Sequence, residues 1–127
     1  FPGQIGLRFT TVYGHGARDT MLISRIINNS VKYSTRHKRD FIHVEDVVSA
    51  IKTLMEKWAW DLGSAYDIGV GKSVYVNELV KSAGYDVPVE EGDACEAEDN
   101  VANTSGIRLL GWKPQIDVMQ FVKELKK

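Results

Sequence analysis

Residues 39–47 of this 127-residue chain read RDFIHVEDV, and this stretch decides the fold. Residues 40–44 are predicted to be extended, and a helix is predicted from about residue 45 to residue 58. Apolar side chains recur in that helix at i, i+1, i+4, i+7 and i+8, which is typical of one buried helix face. The predicted buried residues are Val47, Val48, Ile51, Leu54 and Met55. The stretch therefore predicts a short strand followed directly by an amphipathic helix.

Strand and helix patterns alternate on both sides of this stretch. Residues 6–13 (GLRFTTVY) are rich in β-branched and aromatic residues and predict a strand. Residues 65–68 predict a second strand, and residues 86–90 are a candidate third. Further helices are predicted at residues 20–28 with Asp19 or Thr20 as the cap, from the turn at 69–71 to Gly84, from Thr104 or Ser105 to Gly111, and at 116–125. This order predicts one α/β domain that spans residues 1–127.

Composition limits the classes of function. Hydrophobic residues make up 43% of the chain and charged residues 26%, as in ordinary globular domains. The net charge of −1 argues against a nucleic-acid-binding role, because such domains are usually basic. No apolar run approaches the roughly 20 residues that span a bilayer. Cys95 is the only cysteine, which favours a reducing compartment. We therefore expect a cytoplasmic protein without a membrane partner.

Two glycine-rich turns imitate nucleotide-binding motifs. The turn at Gly14 and Gly16 follows a predicted strand, but Asp19 occupies the position of the third glycine in a dinucleotide fingerprint. Residues 71–73 (GKS) resemble the end of a P-loop, yet its first glycine would have to be Tyr66. The three histidines lack the clustered spacing of a zinc site. We therefore expect neither a cofactor site nor a metal site in this chain.

Four stretches of the chain, taken in order, resemble the extended short-chain dehydrogenase/reductase family. Residues 6–14 (GLRFTTVYG) are similar to its LRxxNVYGPG strand and turn, and residues 39–47 are similar to its RDFIHVxDV motif. Residues 66–79, which begin YDIGVGKS and end in EL, resemble its YNIGxGxSxxxxEL segment. Residues 110–114 (LGWKP) resemble its closing LGWxP. Together they point to the C-terminal portion of a nucleotide-sugar epimerase or dehydratase.

The resemblance implies that cofactor binding and catalysis belong to a different half of such a protein. In this family an N-terminal Rossmann half carries GxxGxxG for NAD and a catalytic YxxxK pair. None of the five tyrosines here has a lysine four residues later. The expected fold is therefore the C-terminal α/β portion, a small sheet with several short helices, without catalytic residues and without NAD. We expect a truncated chain that is inactive alone, from an isomerase or a dehydratase.

The resemblance also implies a substrate site. The arginine of the family's RDFIHV motif contacts the diphosphate of the nucleotide-sugar, and this role carries over to Arg39. A guanidinium group can grip phosphate oxygens through two hydrogen bonds, although Arg39 could instead pair with a surface carboxylate. Tyr13 and the turn containing His15 match the part of the pattern near the substrate. Asp46 is expected to cap or orient the following helix. The expected ligand is a UDP-, dTDP- or GDP-linked sugar.

Some positions depart from the family pattern. Glu90 occupies the place of a second arginine that grips phosphate, and a carboxylate there would repel a diphosphate. Asn103 replaces the aspartate of the family's ADTSK segment. The alternative function is therefore a free-standing remnant that serves as a binding or assembly module. An upstream coding sequence with GxxGxxG and YxxxK would favour the epimerase or dehydratase, and a start codon directly before Phe1 would favour the remnant.

The resemblance also indicates which strand edges would be unpaired. In the family, the strands at 6–13 and 65–68 belong to a larger sheet, so their edges would be unpaired in this chain. Unpaired strand edges promote association, so we expect the isolated chain to form a homodimer or to rearrange in order to cover them. The residues expected in the core are Leu7, Phe9, Ile42 and Trp112.

Overall fold

A computed structural model describes residues 4–58, 63–90 and 101–125; Cys95 lies outside these residues. Strands and helices are interspersed along the chain, which confirms the predicted α/β class. The elements in chain order are β1 (Gly6–Phe9), β2 (Thr11–Tyr13), α1 (Leu22–Ile27), β3 (Lys38–Arg39), β4 (Phe41–His43), α2 (Val44–Glu56), β5 (Ala65–Ile68), β6 (Val74–Tyr75), α3 (Val76–Ser82), α4 (Ser105–Leu109) and α5 (Val118–Glu124).

The strands form three two-stranded sheets in the described part of the chain. β1 pairs in parallel with β5, and β2 pairs in parallel with β4. β3 pairs with β6 in the antiparallel direction. Residues 86–90 form only an isolated β-bridge, between Val89 and Ser34, and no strand. The prediction of a third strand at these residues is therefore wrong.

The strand predicted at residues 6–13 divides in two at Thr10. The Thr10 N–H donates to the Ile68 carbonyl at 3.2 Å, whereas the Thr11 N–H donates to the Asp40 carbonyl at 3.0 Å. Neighbouring residues therefore bond to different segments, and the chain changes its partner from β5 to β4. The composition of this stretch predicts extended backbone, but it contains no signal for a change of partner.

Two hydrophobic clusters receive side chains from β4. Phe41 packs with Tyr13 in the first cluster, and the fully buried Ile42 packs with Trp112 in the second. Successive side chains of a strand point to opposite faces, so one short strand supplies both cores. The first cluster consists of Tyr13, Ile23, Ile26, Phe41, Val76, Leu79, Val80, Val118 and Val122. The second consists of Ile42, Val47, Ala50, Leu54, Tyr66, Ile68, Ile107 and Trp112.

α2 buries a different face from the one predicted. Val47, Ala50 and Leu54 are buried, but Val48 is 60% exposed and Met55 is 70% exposed. The prediction that Val48 and Met55 lie in the core is therefore wrong. Each residue turns an α-helix by roughly 100°, so each of these two side chains is rotated away from its buried neighbour.

The other core predictions hold except at one position. Ile42 and Trp112 are buried and Leu7 is half-buried, but Phe9 is 46% exposed. The prediction for Phe9 is therefore wrong. In the described part of the chain β1 has β5 as its only strand neighbour, which leaves the side of β1 away from β5 uncovered by a strand.

Helix starts also differ from the predicted caps. α1 is preceded by Met21, which makes no side-chain capping bond, rather than by Asp19 or Thr20. α2 is capped by His43, whose Nδ1 accepts a hydrogen bond from the Glu45 N–H at 3.1 Å. Asp46 is therefore not the cap of α2.

Asp46 instead orients α2 against a distant segment. Its buried carboxylate accepts hydrogen bonds from the backbone N–H groups of Gln115 and Ile116, both at 3.0 Å. These bonds tie the first turn of α2 to the chain just before α5. The predicted orienting role of Asp46 is confirmed, through a partner far along the sequence.

The fully buried Asp40 joins three segments of the chain. Its Oδ1 accepts from the Val70 N–H at 2.8 Å, and its Oδ2 accepts from the N–H groups of Gly71 at 2.9 Å and Ala102 at 3.1 Å. A Cβ at Gly69 would lie 2.8 Å from Oδ2, so glycine is required at that turn. Asp40 thus holds the start of β4, the turn after β5 and the segment before α4 together.

Replacing Asp40 by asparagine is expected to lower the free energy of unfolding by at least about 2 kcal/mol, since hydrogen bonds to a charged group contribute roughly 1.5–3 kcal/mol each. Chemical denaturation would measure the change. The matched control is Asp67→Asn, which removes an ion pair with the exposed Arg8 and should cost less than about 1 kcal/mol. Equal losses for the two variants would contradict the role given to Asp40.

Candidate functional site

The backbone around Arg39 is fixed on both sides. Arg39 belongs to β3, which pairs with β6, and the Val76 N–H donates to the His37 carbonyl at 2.9 Å. On the other side Arg39 is followed directly by the buried Asp40. The Arg39 Nη1 also donates to the Lys38 carbonyl at 2.7 Å. The position of Arg39 therefore follows from the fold.

A cleft of about 300 Å³ lies beside Arg39, and we call it the Arg39 cleft. Three cationic side chains line it, those of Arg25, Lys32 and Arg39, whereas none of its described lining residues is acidic. Tyr33, which is 44% exposed, supplies an aromatic ring. Hydroxyl groups are contributed by Thr11, Thr20, Ser34 and Thr35.

This lining suits an anionic ligand. Cations gathered in a concave site raise the local potential, and guanidinium groups are suited to planar contacts with phosphate or carboxylate oxygens. The hydroxyl groups add donors and acceptors for neutral polar atoms. The volume is at the lower end of the range for small-molecule sites. The arrangement can therefore bind and orient an anion of modest size.

Tyr13 lies behind a wall of the cleft rather than in it. Its ring centroid is 6.4 Å from that of Phe41, which lines the cleft, and 5.1 Å from that of Phe121. Tyr13 is only 2% exposed, and its hydroxyl has no hydrogen-bond partner among the described residues. The ring centroid of the exposed His15 lies 5.9 Å from that of Phe121. The structure thus brings Tyr13 and His15 together around Phe121, and not around Arg39.

The two glycine turns are structural and do not fit NAD. The N–H groups of Val70 and Gly71, which a phosphate loop would present to its ligand, are bonded to Asp40. The turn at Gly14 lies so close to Val44 that a side chain would not fit, since a Cβ at Gly14 would lie only 2.8 Å from Val44 Cγ1. α1 begins only at Leu22, so no helix N-terminus follows that turn directly. Neither of these two turns therefore has the geometry of a dinucleotide-binding loop.

Within residues 4–58, 63–90 and 101–125, no group of three His, Cys, Asp or Glu side chains could hold a metal ion. No helix in that part of the chain is long and apolar enough to cross a membrane.

Residues 4–69, just over half of the chain, match the NAD dependent epimerase/dehydratase family. The chain belongs to this family. The matched range contains β1, the whole RDFIHVEDV stretch and β5, so the resemblance predicted from the sequence motifs is confirmed.

Similar proteins support the same assignment. CDP-abequose synthase from Salmonella typhimurium (strain LT2) is 32% identical in an alignment 141 positions long, which covers 97% of this chain and 47% of the synthase. The structure of MoeE5 in complex with UDP-glucose and NAD is 30% identical with a TM-score of 0.74, covering 97% of this chain and 46% of MoeE5.

A third comparison concerns the fold alone. UDP-N-acetylglucosamine 4-epimerase from Methanobrevibacter ruminantium M1 has a TM-score of 0.79 at 20% identity, covering 96% of this chain and 44% of the epimerase. The predicted α/β fold of small sheets and several short helices, shared with part of the extended short-chain dehydrogenase/reductase structures, is confirmed. The chain spans about half the length of the curated relatives it matches.

Sequence reasoning missed part of the Arg39 cleft. Lys32 and Arg39 both belong to a run rich in basic residues, and that run was a usable signal for Lys32. Arg25 lies on α1, in the preceding element, where nothing in its sequence context separates it from an ordinary surface arginine. Arg25 comes to the cleft because α1, on which it lies, buries Ile23 and Ile26 in the first hydrophobic cluster together with Phe41.

The Tyr13→Phe variant is expected to raise the free energy of unfolding by about 1 kcal/mol, because it removes a buried hydroxyl without a partner. The matched control is Tyr85→Phe. The Tyr85 hydroxyl donates to the Ile26 carbonyl at 3.2 Å and to Asn29 Oδ1 at 2.7 Å, so this variant should lose stability. Thermal and chemical denaturation would measure both, and a destabilised Tyr13→Phe would contradict this account.

Stability in alkali gives a second signature of Tyr13. Burial raises the pKa of its hydroxyl well above the ordinary value, and the negative charges of Asp117 and Asp46 raise it further. Because the folded pKa lies above the unfolded one, the hydroxyl ionises first in the unfolded chain. This titration therefore leaves the free energy of unfolding unchanged below a pH of about 10 and lowers it as the pH rises further. Unfolding measured between neutral and strongly alkaline pH should show a smaller loss for Tyr13→Phe than for the unmodified chain.

Proposed function

We propose that the chain is the substrate-binding portion of an NAD-dependent nucleotide-sugar epimerase or dehydratase, with the diphosphate of the ligand in the Arg39 cleft. The observation that carries this proposal is the cleft's lining of three cations without a described carboxylate, built around the arginine of RDFIHVEDV. A diphosphate bridge is anionic and accepts charge-assisted hydrogen bonds, which are stronger than neutral ones. Catalysis and NAD binding would belong to a part of the enzyme that the described residues do not supply.

The nucleotide is proposed to lie against Tyr33. An aromatic ring that is partly exposed at the edge of an anion site offers a stacking surface for a base. CDP-abequose synthase and the MoeE5 complex are named for CDP- and UDP-linked compounds, so pyrimidine nucleotides are the first candidates here. Sugars linked to dTDP, which is also a pyrimidine nucleotide, and sugars linked to GDP are the other ligands expected from the sequence.

Different roles are proposed for the remaining predicted site residues. His15 is exposed beside Phe121, and we assign it a contact with the sugar end of the ligand. Tyr13 would act indirectly by supporting Phe41 in the cleft wall. The lone Cys95 supports a cytoplasmic location for the protein.

Replacing Arg39 by alanine is expected to weaken nucleotide-sugar binding roughly 10- to 150-fold, the equivalent of about 1.5–3 kcal/mol for hydrogen bonds to a charged group. Isothermal titration calorimetry would measure the dissociation constants. The matched control is Arg8→Ala, because Arg8 is an exposed arginine that pairs with Asp67 and does not line the cleft. An affinity that is unchanged in Arg39→Ala, or equally reduced in Arg8→Ala, would refute the assignment.

Thermal stabilisation by a ligand panel tests the proposed class of ligand. A ligand present at about 100 times its dissociation constant should stabilise the fold by about 2.7 kcal/mol. We expect CDP- or UDP-linked sugars to raise the melting temperature more than GDP-linked sugars do, and this rise should disappear in Arg39→Ala. If no member of the panel shifts the melting temperature of the unmodified chain, the cleft is not a nucleotide-sugar site.

A further inference from the structure

The backbone at Glu90 runs beside the backbone at Ser34, at one edge of the Arg39 cleft. The two segments meet in a parallel bridge, and the Glu90 N–H donates to the Ser34 carbonyl at 2.7 Å. Ser34 and its neighbour Tyr33 both line the cleft, whereas Glu90 does not. Glu90 is therefore held next to the cleft by its backbone, outside the space that the three cations line.

The register of this bridge puts the side chains of Tyr33 and Glu90 on the same side of the paired segments. Successive side chains of extended backbone alternate between two faces, and residues paired in register share a face. Ser34 pairs with Val89, so Tyr33 before Ser34 and Glu90 after Val89 both face the opposite side from that pair. Burial agrees with this alternation, since Ser34 is 4% exposed and Tyr33 is 44% exposed.

The spacing suits a ligand between the two side chains. The rise along a strand and the separation between strands place the Cα atoms of Tyr33 and Glu90 roughly 8 Å apart, a diagonal that long side chains can span. A base stacked on the ring of Tyr33 would therefore have its edge within reach of the Glu90 carboxylate.

The Glu90 carboxylate is available to a ligand. Glu90 is exposed, and its side chain forms neither an ion pair nor a hydrogen bond with another residue in the part of the chain that the structure describes. An ionised carboxylate only accepts hydrogen bonds. A ligand group beside it is therefore stabilised if it donates a hydrogen bond and destabilised if it presents a lone pair.

Pyrimidine bases differ in this property at position 4 of the ring. Cytosine carries an amino group there, and glutamate and aspartate side chains accept hydrogen bonds from it in protein–nucleic acid complexes. Thymine and uracil carry an oxygen at that position, which only accepts. Adenine and guanine also carry amino groups, but they are two-ring bases, and a cleft of about 300 Å³ favours a base with one ring.

We propose that Glu90 selects cytosine, by accepting a hydrogen bond from the amino group of a base stacked on Tyr33. This inference rests on the proposed function, because it takes the nucleotide to lie against Tyr33 with its diphosphate at Arg39. It narrows the ligand from pyrimidine nucleotides in general to compounds of cytidine diphosphate. It also gives a ligand contact to a carboxylate that departs from the family pattern.

Calorimetric titration of the 127-residue chain with CDP, UDP and GDP tests the proposal first. We expect CDP to bind roughly tenfold more tightly than UDP, the smaller of the effects typical of a hydrogen bond to a charged group, and more tightly than GDP. CDP whose amino group carries two methyl groups has no hydrogen to donate there, and it should bind no more tightly than UDP. These titrations need no variant, so the test does not depend on any substitution being tolerated.

Glu90→Gln separates a contact at the base from a general effect of charge. The glutamine amide can accept from an amino group and donate to a ring oxygen, so CDP and UDP should bind this variant with similar affinity. Glu90→Lys should reverse the preference, because an ammonium group only donates. The matched control is Glu45→Gln, which neutralises an exposed carboxylate of α2 outside the cleft lining and should keep the preference for CDP. A merely structural role of Glu90 would change both affinities together and leave their ratio unchanged.

The failure of this inference is distinguishable from the failure of the proposed function. Suppose that nucleotides bind and that Arg39→Ala weakens their binding. Equal affinities for CDP and UDP, tighter binding of UDP or GDP, or tight binding of dimethylated CDP would then overturn the selection by Glu90 alone. So would a preference for CDP that Glu90→Gln retains. If none of the three nucleotides binds, the proposed function is wrong and the selection by Glu90 is wrong with it.

Discussion

The buried carboxylate of Asp40 is the interaction on which the rest of the structure depends. A carboxylate inside a protein costs free energy unless hydrogen bonds replace its hydration. Three backbone N–H groups, from the turn after β5 and from Ala102, do so here. The Asp40 carbonyl also accepts from the Thr11 N–H, at the point where the first strand changes its partner. One residue therefore fixes both the switch from β1 to β2 and the packing of the C-terminal segments.

Two sequence motifs that are distant along the chain form one physical unit at this residue. Gly69 must lack a side chain because a Cβ there would lie within 2.8 Å of Asp40 Oδ2, Thr10 Oγ1 and Ala102 Cβ. The glycine-rich turn thus exists to let the backbone approach the carboxylate, which explains its likeness to a phosphate loop without the function of one. The N–H groups of the turn donate to the Asp40 carboxylate, so neither those N–H groups nor the carboxylate is available to a ligand.

Local sequence patterns predicted where strands and helices lie better than they predicted which segments those elements pair with or pack against. The strand at β5 and the helices α2 and α3 follow from composition and periodicity, since those signals are local. The division of residues 6–13, by contrast, depends on which carbonyl lies opposite Thr10 and Thr11. The spacing of apolar residues likewise predicted that Val48 is buried, although it is 60% exposed. Spacing cannot distinguish the helix face that packs into the core from the apolar residues that border this face.

The sequence predicted a residue of the candidate site only where a motif and the chemistry of its side chain pointed to the same role. Arg39 stood out through the motif and through guanidinium chemistry, and the structure places it in the basic cleft. Arg25 reaches the same cleft from α1 by tertiary packing alone, so no local pattern marks it. Tyr13 matches a motif near a ligand, yet its hydroxyl is buried without a partner. A motif thus fixes where a residue lies in the fold more firmly than it fixes what the residue touches.

Neighbouring residues of RDFIHVEDV serve the cleft and the fold. Asp40, Phe41 and Ile42 serve the anchor and the two cores, while Arg39 just before them contributes its charge to a cleft. β6 and Asp40 hold the backbone of Arg39 from both sides, so its side chain can change without loss of those contacts. A substitution of the Arg39 side chain can therefore change the charge of the cleft while these backbone contacts persist. For this reason the family of the chain follows from its buried framework, whereas the chemistry of the cleft follows from Arg39 and the other residues that line it.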